Sequence, residues 1–99
     1  MLNIQKTVEN NTAVFTLEGR LDTVTGSEFE RVLVETLPDL TDLTLDLTGL
    51  DYISSAGLRI LLSAQKQMNR QGEMKITGVN ETIAEIFEVT GFSTILTIL

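Results

Sequence analysis

Apolar residues along this chain recur at two alternating periods, and the switches between the periods predict its elements. Leu2 and Ile4 alternate with polar neighbours, as in a short half-buried strand. Glu9-Asn10-Asn11 is a turn signal, and Ala13-Val14-Phe15-Thr16-Leu17 beyond it is rich in β-formers. Together they predict an antiparallel hairpin whose second strand ends at Gly19. The period then lengthens. Phe29, Val32, Leu33 and Leu37 recur at helical spacing as far as Pro38, whose ring and missing N–H stop a helix. Thr25, with Glu28 three residues on, predicts a capping box at the start of that helix.

The alternation repeats downstream. Leu43-Thr44-Leu45-Asp46-Leu47 reads as a third strand, left through a turn at Thr48-Gly49-Leu50-Asp51. Ser54 and Ser55 precede Leu58, Leu61, Leu62, Gln65 and Met68, a second helix running to about Arg70 and stopped by Gln71-Gly72. Met74-Lys75-Ile76-Thr77 is a fourth strand. Asn80 is placed to cap a third helix carrying Ile83, Ile86 and Phe87, with Gly91 at its end. Residues 94–99 are apolar and β-prone, and read as a short edge strand or a cover over the core.

Strand, helix, strand, helix, strand implies parallel neighbours joined by right-handed crossovers, and the initial hairpin makes the sheet mixed. The predicted architecture is therefore α/β, one domain over residues 1–99, with a mixed sheet of four or five strands and alternating helices. Its expected core is Phe15, Leu17, Phe29, Leu33, Leu45, Leu47, Leu61, Leu62, Ile76, Ile83 and Phe87. A chain of 99 residues, 42% of them apolar, has enough for one lean core and no room for a second.

Composition narrows the chemistry by what is missing. There is no cysteine and no histidine, which removes thiolate and imidazole metal sites, the Cys nucleophile and the commonest general base. No Asp/Gly-rich loop has calcium-ligand spacing, so no metal or other cofactor is expected. The formal net charge is −7 with Lys and Arg scattered, which argues against nucleic acid and against insertion into anionic lipid. No apolar run approaches the roughly 20 residues that span a bilayer. The opening Met1-Leu2-Asn3-Ile4-Gln5-Lys6 lacks the basic and apolar blocks of a secretory signal, so a cytoplasmic location is expected.

In an open α/β sheet, functional groups collect beyond the carboxyl ends of the strands. Three segments should meet there: Gly19-Arg20-Leu21-Asp22, the stretch from Asp46 to Asp51, and Ser54-Ser55-Ala56-Gly57 at the start of the second helix. Each has a plain structural reading. A serine before an apolar-periodic helix is an N-cap worth about 1 kcal/mol. Asp22 could cap the first helix from outside, and Asp46 could be satisfied at a strand end. The same helix start has another property. Its free N–H groups and positive dipole end stabilise a phosphate, so a serine there can carry a phosphoryl group without unfolding anything. Hydrolytic chemistry at Ser55 lacks a base. Lys66 lies 11 residues along the same helix, roughly 16 Å away at 1.5 Å per residue. The chain is expected not to be an enzyme.

Leu45-Asp46-Leu47-Thr48-Gly49-Leu50-Asp51-Tyr52-Ile53-Ser54-Ser55-Ala56-Gly57-Leu58 resembles the STAS domain family, the fold of bacterial anti-sigma factor antagonists. There a strand ending Asp-Leu-Ser/Thr leads through a short turn and an aromatic-aliphatic pair to a Ser-rich Gly-Leu helix start. Gly19-Arg20-Leu21-Asp22 resembles the family's Gly-x-Leu-Asp, and Val89-Thr90-Gly91-Phe92 its usual third-helix end. The resemblance runs over nearly the whole chain. It implies a phosphoprotein that regulates transcription by binding an anti-sigma factor, itself a serine kinase. Phosphorylation would dissociate the complex and a phosphatase would reset it. The acceptor position falls on Ser55, with Ser54 as runner-up because several members have Asp there. Asp22, Asp46, Ser54, Ala56 and Gly57 are then the flanking, partner-facing residues. Two other uses of the family remain open: a cytosolic subunit of a membrane transporter, and a binding domain for a nucleotide or lipid.

Overall fold

A computed structural model describes residues Met1–Leu99. The elements follow in the order β1 (Leu2–Glu9), β2 (Thr12–Leu21), α1 (Thr23–Thr36), β3 (Asp42–Ile53), α2 (Ser55–Gln71), β4 (Glu73–Thr77) and α3 (Glu81–Thr90), with a single 3-10 turn at Phe92–Thr94. The sheet order is β1-β2-β3-β4. The hairpin is antiparallel and the two later pairings are parallel. The fifth strand is reduced to one bridge. Ile98 lies parallel to Ile76, whose N–H donates to the Thr97 carbonyl at 2.8 Å and whose carbonyl accepts from the Leu99 N–H at 2.9 Å.

Only one face of the sheet is covered. Ala13, Phe15 and Leu17 of β2, Leu43, Leu45 and Leu47 of β3, and Met74 and Ile76 of β4 are buried and belong to one cluster with Phe29, Leu33, Leu61, Ile83 and Phe87 of the helices. Phe15 and Phe29 meet edge to face at 5.8 Å. Between the buried positions, Val14, Thr16, Thr44, Asp46, Lys75 and Thr77 stay at least partly exposed on the other face. Sequential parallel strands joined by same-handed crossovers put every helix on the same side, which accounts for the one-sided burial. Leu62, expected in the core, is only half-buried, because Leu61 and Met68 already fill the inward stripe of α2.

Four boundaries differ from the sequence reading. β1 extends well past Ile4, because it pairs residue for residue with β2 from Leu2↔Gly19 to Glu9↔Thr12. β2 does not end at Gly19 but bends there. Gly19 has φ +105°, and a Cβ would overlap the Met1 carbonyl, so glycine alone fits and the strand continues to Leu21. Residues 48–51 do not turn out of β3; they carry it on to Ile53, paired with Glu18–Leu21 across two register shifts. Finally, α1 is capped by Asp22 rather than Thr25. The Val24 and Thr25 N–H groups both donate to Asp22 Oδ1 at 3.0 Å, and the Asp22 N–H donates back to Thr25 Oγ1 at 2.9 Å. Thr25 still belongs to a capping box, but as its third helical residue.

Candidate functional site

The extension of β2 and β3 sets the place where α1 and α2 begin. Leu21 and Ile53 are paired across the two parallel strands, and the next residues, Asp22 and Ser54, are the N-caps of the two helices. Neighbouring strands lie about 5 Å apart, so the two caps stand side by side. The Ser54 N–H donates to the Leu21 carbonyl at 2.9 Å, tying the second cap to the end of β2. Gly57 closes the joint. A Cβ there would come within 2.9 Å of both Ile53 Cγ1 and Leu21 Cγ, so the first turn of α2 rests directly on the strand ends.

The two serines are sorted by this geometry. Ser54 has extended backbone, and its Oγ accepts from the Gly57 N–H at 3.2 Å, the ordinary N-cap bond. Ser55 is the first helical residue, exposed, and its hydroxyl has no hydrogen-bond partner. The positive end of α2 carries no acidic residue in its first turn. A neutral cap followed by a free hydroxyl leaves room there for a dianionic group.

Asp22 is held ionised. The Thr25 backbone N–H, with further help from the Thr25 hydroxyl and the Val24 N–H, keeps its carboxyl below the usual range against a smaller opposing effect of burial. Asp46 is also lowered, first by the Thr48 hydroxyl at 2.6 Å and then by the Thr48 N–H at 3.0 Å. Asp46 is not a neighbour of the serines, however. It pairs with Thr16 and Thr77 on the uncovered face, and Ile53 lies seven positions further along β3, roughly 20 Å of strand. The expectation that Asp46 closes the strand failed because β3 runs on past it. Asp22, Ser54, Ser55, Ala56 and Gly57 are brought together; Asp46 is left behind.

Side chains not singled out from the sequence also border the site. Arg20 stacks over the Tyr52 ring, 4.3 Å from its centroid, on the paired extension of β2 and β3. Placing the strand ends at Gly19 and Leu47 hid this pair. The continuing alternation of Gly19-Arg20-Leu21 was the signal for it. On the helix side, Ala56 and Arg59 of α2 face Thr23, Ser27 and Glu30 of α1 across an open groove of about 310 Å³. No helix is long and apolar enough to cross a membrane.

Comparison with known proteins bears on the family and the fold. The family model described as "STAS domain" matches residues 3–99. The anti-sigma-B factor antagonist of Staphylococcus aureus is 32% identical over 97 residues, covering 96% of this chain and 90% of that protein. Among solved structures, an anti-sigma factor antagonist from Mycobacterium paratuberculosis superposes with a TM-score of 0.88, at 17% identity, over 99% of this chain and 85% of that one. The Bacillus cell fate determinant SpoIIAA in its phosphorylated form superposes with a TM-score of 0.76, also at 17% identity, over 98% of this chain and 91% of that one. At such identities the two structures speak for the fold alone.

Proposed function

The chain belongs to the STAS domain family, and we propose that it is an anti-sigma factor antagonist whose binding is switched off by phosphorylation of Ser55. Membership makes it a regulatory domain and not an enzyme. The observation that carries the switch is the division of labour between the serines: Ser54 is spent on the cap, while Ser55 is exposed and unengaged at a helix N-terminus. A phosphate on Ser55 adds about −1.5 to −2 charges and three acceptor oxygens. The helix N-terminus holds such a group without a change of fold, while a partner surface fitted to a bare hydroxyl is blocked. A loss of about 3–4 kcal/mol in binding weakens a complex by two to three powers of ten. The full cycle needs an anti-sigma factor with serine kinase activity and a phosphatase that resets Ser55, both acting in the cytoplasm. Asp22, Ser54, Ala56 and Gly57 form the border of the surface the partner covers.

The test begins with immobilised wild-type chain, used to recover and identify the anti-sigma factor from a native lysate. That protein is then purified and incubated with the chain and ATP, and the acceptor is read by mass spectrometry. Phosphate is expected on Ser55 in the wild type and in Ser54→Ala, and nowhere in Ser55→Ala. Phosphate on Ser54, or none with a kinase shown to be active, would remove the switch. Equal partner affinity for the bare and the folded, Ser55-phosphorylated chain would instead favour a constant subunit of a larger assembly.

A further inference from the structure

Charge is not spread evenly over this acidic chain. α2 holds three of the seven basic residues, Arg59, Lys66 and Arg70, and none of the fourteen acidic ones. All three are exposed, and the structure's one ion pair, Lys75 with Asp42, lies elsewhere. At 100° per residue they fall within about 40° of one another, forming a single stripe about 16 Å long. Ser55 stands one turn ahead of Arg59 on the same side of the helix. α3, by contrast, carries Glu81, Glu85 and Glu88 and no basic residue.

The stripe borders a trough between α1 and α2. Three open depressions of about 310, 60 and 430 Å³ run on from one another, the first two sharing Glu30, Ile60 and Ser63, the last two sharing Ser63 and Gln67. Arg59 lines the first, and Lys66 and Arg70 the last. The middle is apolar, with Val34 of α1 64% exposed at its rim, and Glu30 is the only acid along its length. A basic end at Lys66 and Arg70, an apolar waist, and Arg59 facing Glu30 at the other end match a segment that is itself amphipathic.

We propose that the Arg59–Lys66–Arg70 stripe and the trough beside it dock an acidic, amphipathic segment of the protein partner, and that phosphorylation of Ser55 acts by discharging the head of this stripe. Both parts rest on the antagonist reading above. A long polyanion is a poor occupant, because beyond the stripe it meets the repulsion of a chain of net charge −7. A short acidic segment senses only its surroundings within about 8 Å, the screening length at physiological salt, and the trough lining offers it three basic side chains against the single Glu30. The apolar waist gives a phosphate backbone or a lipid headgroup nothing to bind, whereas an aliphatic side chain of a protein segment covers it. A phosphoserine one turn before Arg59 sits at the spacing at which opposite charges on a helix pair. It would occupy that guanidinium and repel an acidic partner in the same step.

The experiment compares two variants of equal net charge, R59Q/K66Q/R70Q on the stripe and K6Q/R31Q/K75Q away from it, each checked for folding by circular dichroism and thermal melting. Affinity for the purified anti-sigma factor is measured by calorimetry at 50 and 300 mM NaCl. The stripe variant should bind about 10- to 100-fold more weakly at low salt and lose most of the salt dependence of the wild type, while the control stays within about threefold. Both variants binding like wild type would overturn the docking surface and leave the antagonist reading standing. A wild-type chain that binds no anti-sigma factor would sink both. Wild-type sedimentation with phosphatidylserine vesicles or retardation of duplex DNA, abolished in the stripe variant alone, would assign the stripe to a membrane or nucleic acid and overturn the proposal. For the discharge step, Ser55-phosphorylated chain is compared with and without Arg59→Gln by 31P NMR. The guanidinium should lower the second phosphate pKa relative to the Arg59→Gln chain. Identical titrations would overturn that step.

Discussion

The N-termini of α1 and α2 stand side by side at the ends of paired strands, yet they are finished in opposite ways. At α1 the positive end is met by a charged carboxylate, and Asp22 and Thr25 close a reciprocal capping box around it. At α2 the cap is the neutral Ser54, no acid follows in the first turn, and the next hydroxyl is free. The difference teaches where a switch can be placed. An anion added at α1 would compete with one already there, while an anion added at α2 meets an unneutralised dipole and disturbs no existing bond.

The comparison breaks most visibly if the joint under α2 is disturbed. Gly57→Val is predicted to lose about 1–3 kcal/mol, because its side chain is forced against Leu21 and Ile53. Urea denaturation measures this, and an unchanged midpoint would show that the first turn of α2 does not rest on the strand ends. Ser54→Ala removes one capping bond, for an expected loss of about 1 kcal/mol in the same assay.

Acid separates the two termini next. The pKa of Asp22 is lowered in the folded chain, so its stabilising contribution is complete above the unfolded value near 4 and is lost as pH falls through the folded value. Asn caps a helix about as well as Asp but does not titrate. Asp22→Asn should therefore melt near the wild-type temperature at pH 6 and lose less than wild type on going to pH 3. Asp46 contributes in the same direction, so Asp22→Asn/Asp46→Asn should flatten the profile further. An unaltered acid limb in the double variant would mean that neither carboxylate is held by its hydrogen bonds. The smallest effect belongs to Ser55. As its hydroxyl bonds to nothing, Ser55→Ala should shift stability by no more than about 0.5 kcal/mol. A loss as large as that of Ser54→Ala would give Ser55 a structural role and weaken its assignment as the free acceptor.

Much of this is legible in the chain alone. The alternation of Ala13, Phe15 and Leu17, and of Leu43, Leu45 and Leu47, named the inward face of the two central strands, and both sets are buried. Asn80 was readable as the cap of α3, and its Oδ1 accepts from the Ile83 N–H at 2.9 Å. Leu62 was misplaced because a leucine next to an inward stripe looks no different in sequence from one within it. The serine pair was recognisable as a helix start, but which serine was spent and which was free was not.

These outcomes divide along a physical line. Periodicity, proline and the absence of cysteine and histidine are properties of the chain itself, so they determined the element types, the single core and the exclusion of whole classes of chemistry. Strand ends and caps are settled by partners. β2 and β3 run on to Leu21 and Ile53 because each offers the other a ladder there, and both Asp22 and Thr25 can cap a helix until the strand end places one of them first. That same pairing carried Asp46 out of the site and set Ser54 against the Leu21 carbonyl, leaving Ser55 exposed. Neighbours far apart in sequence made those choices, and local propensity is blind to them.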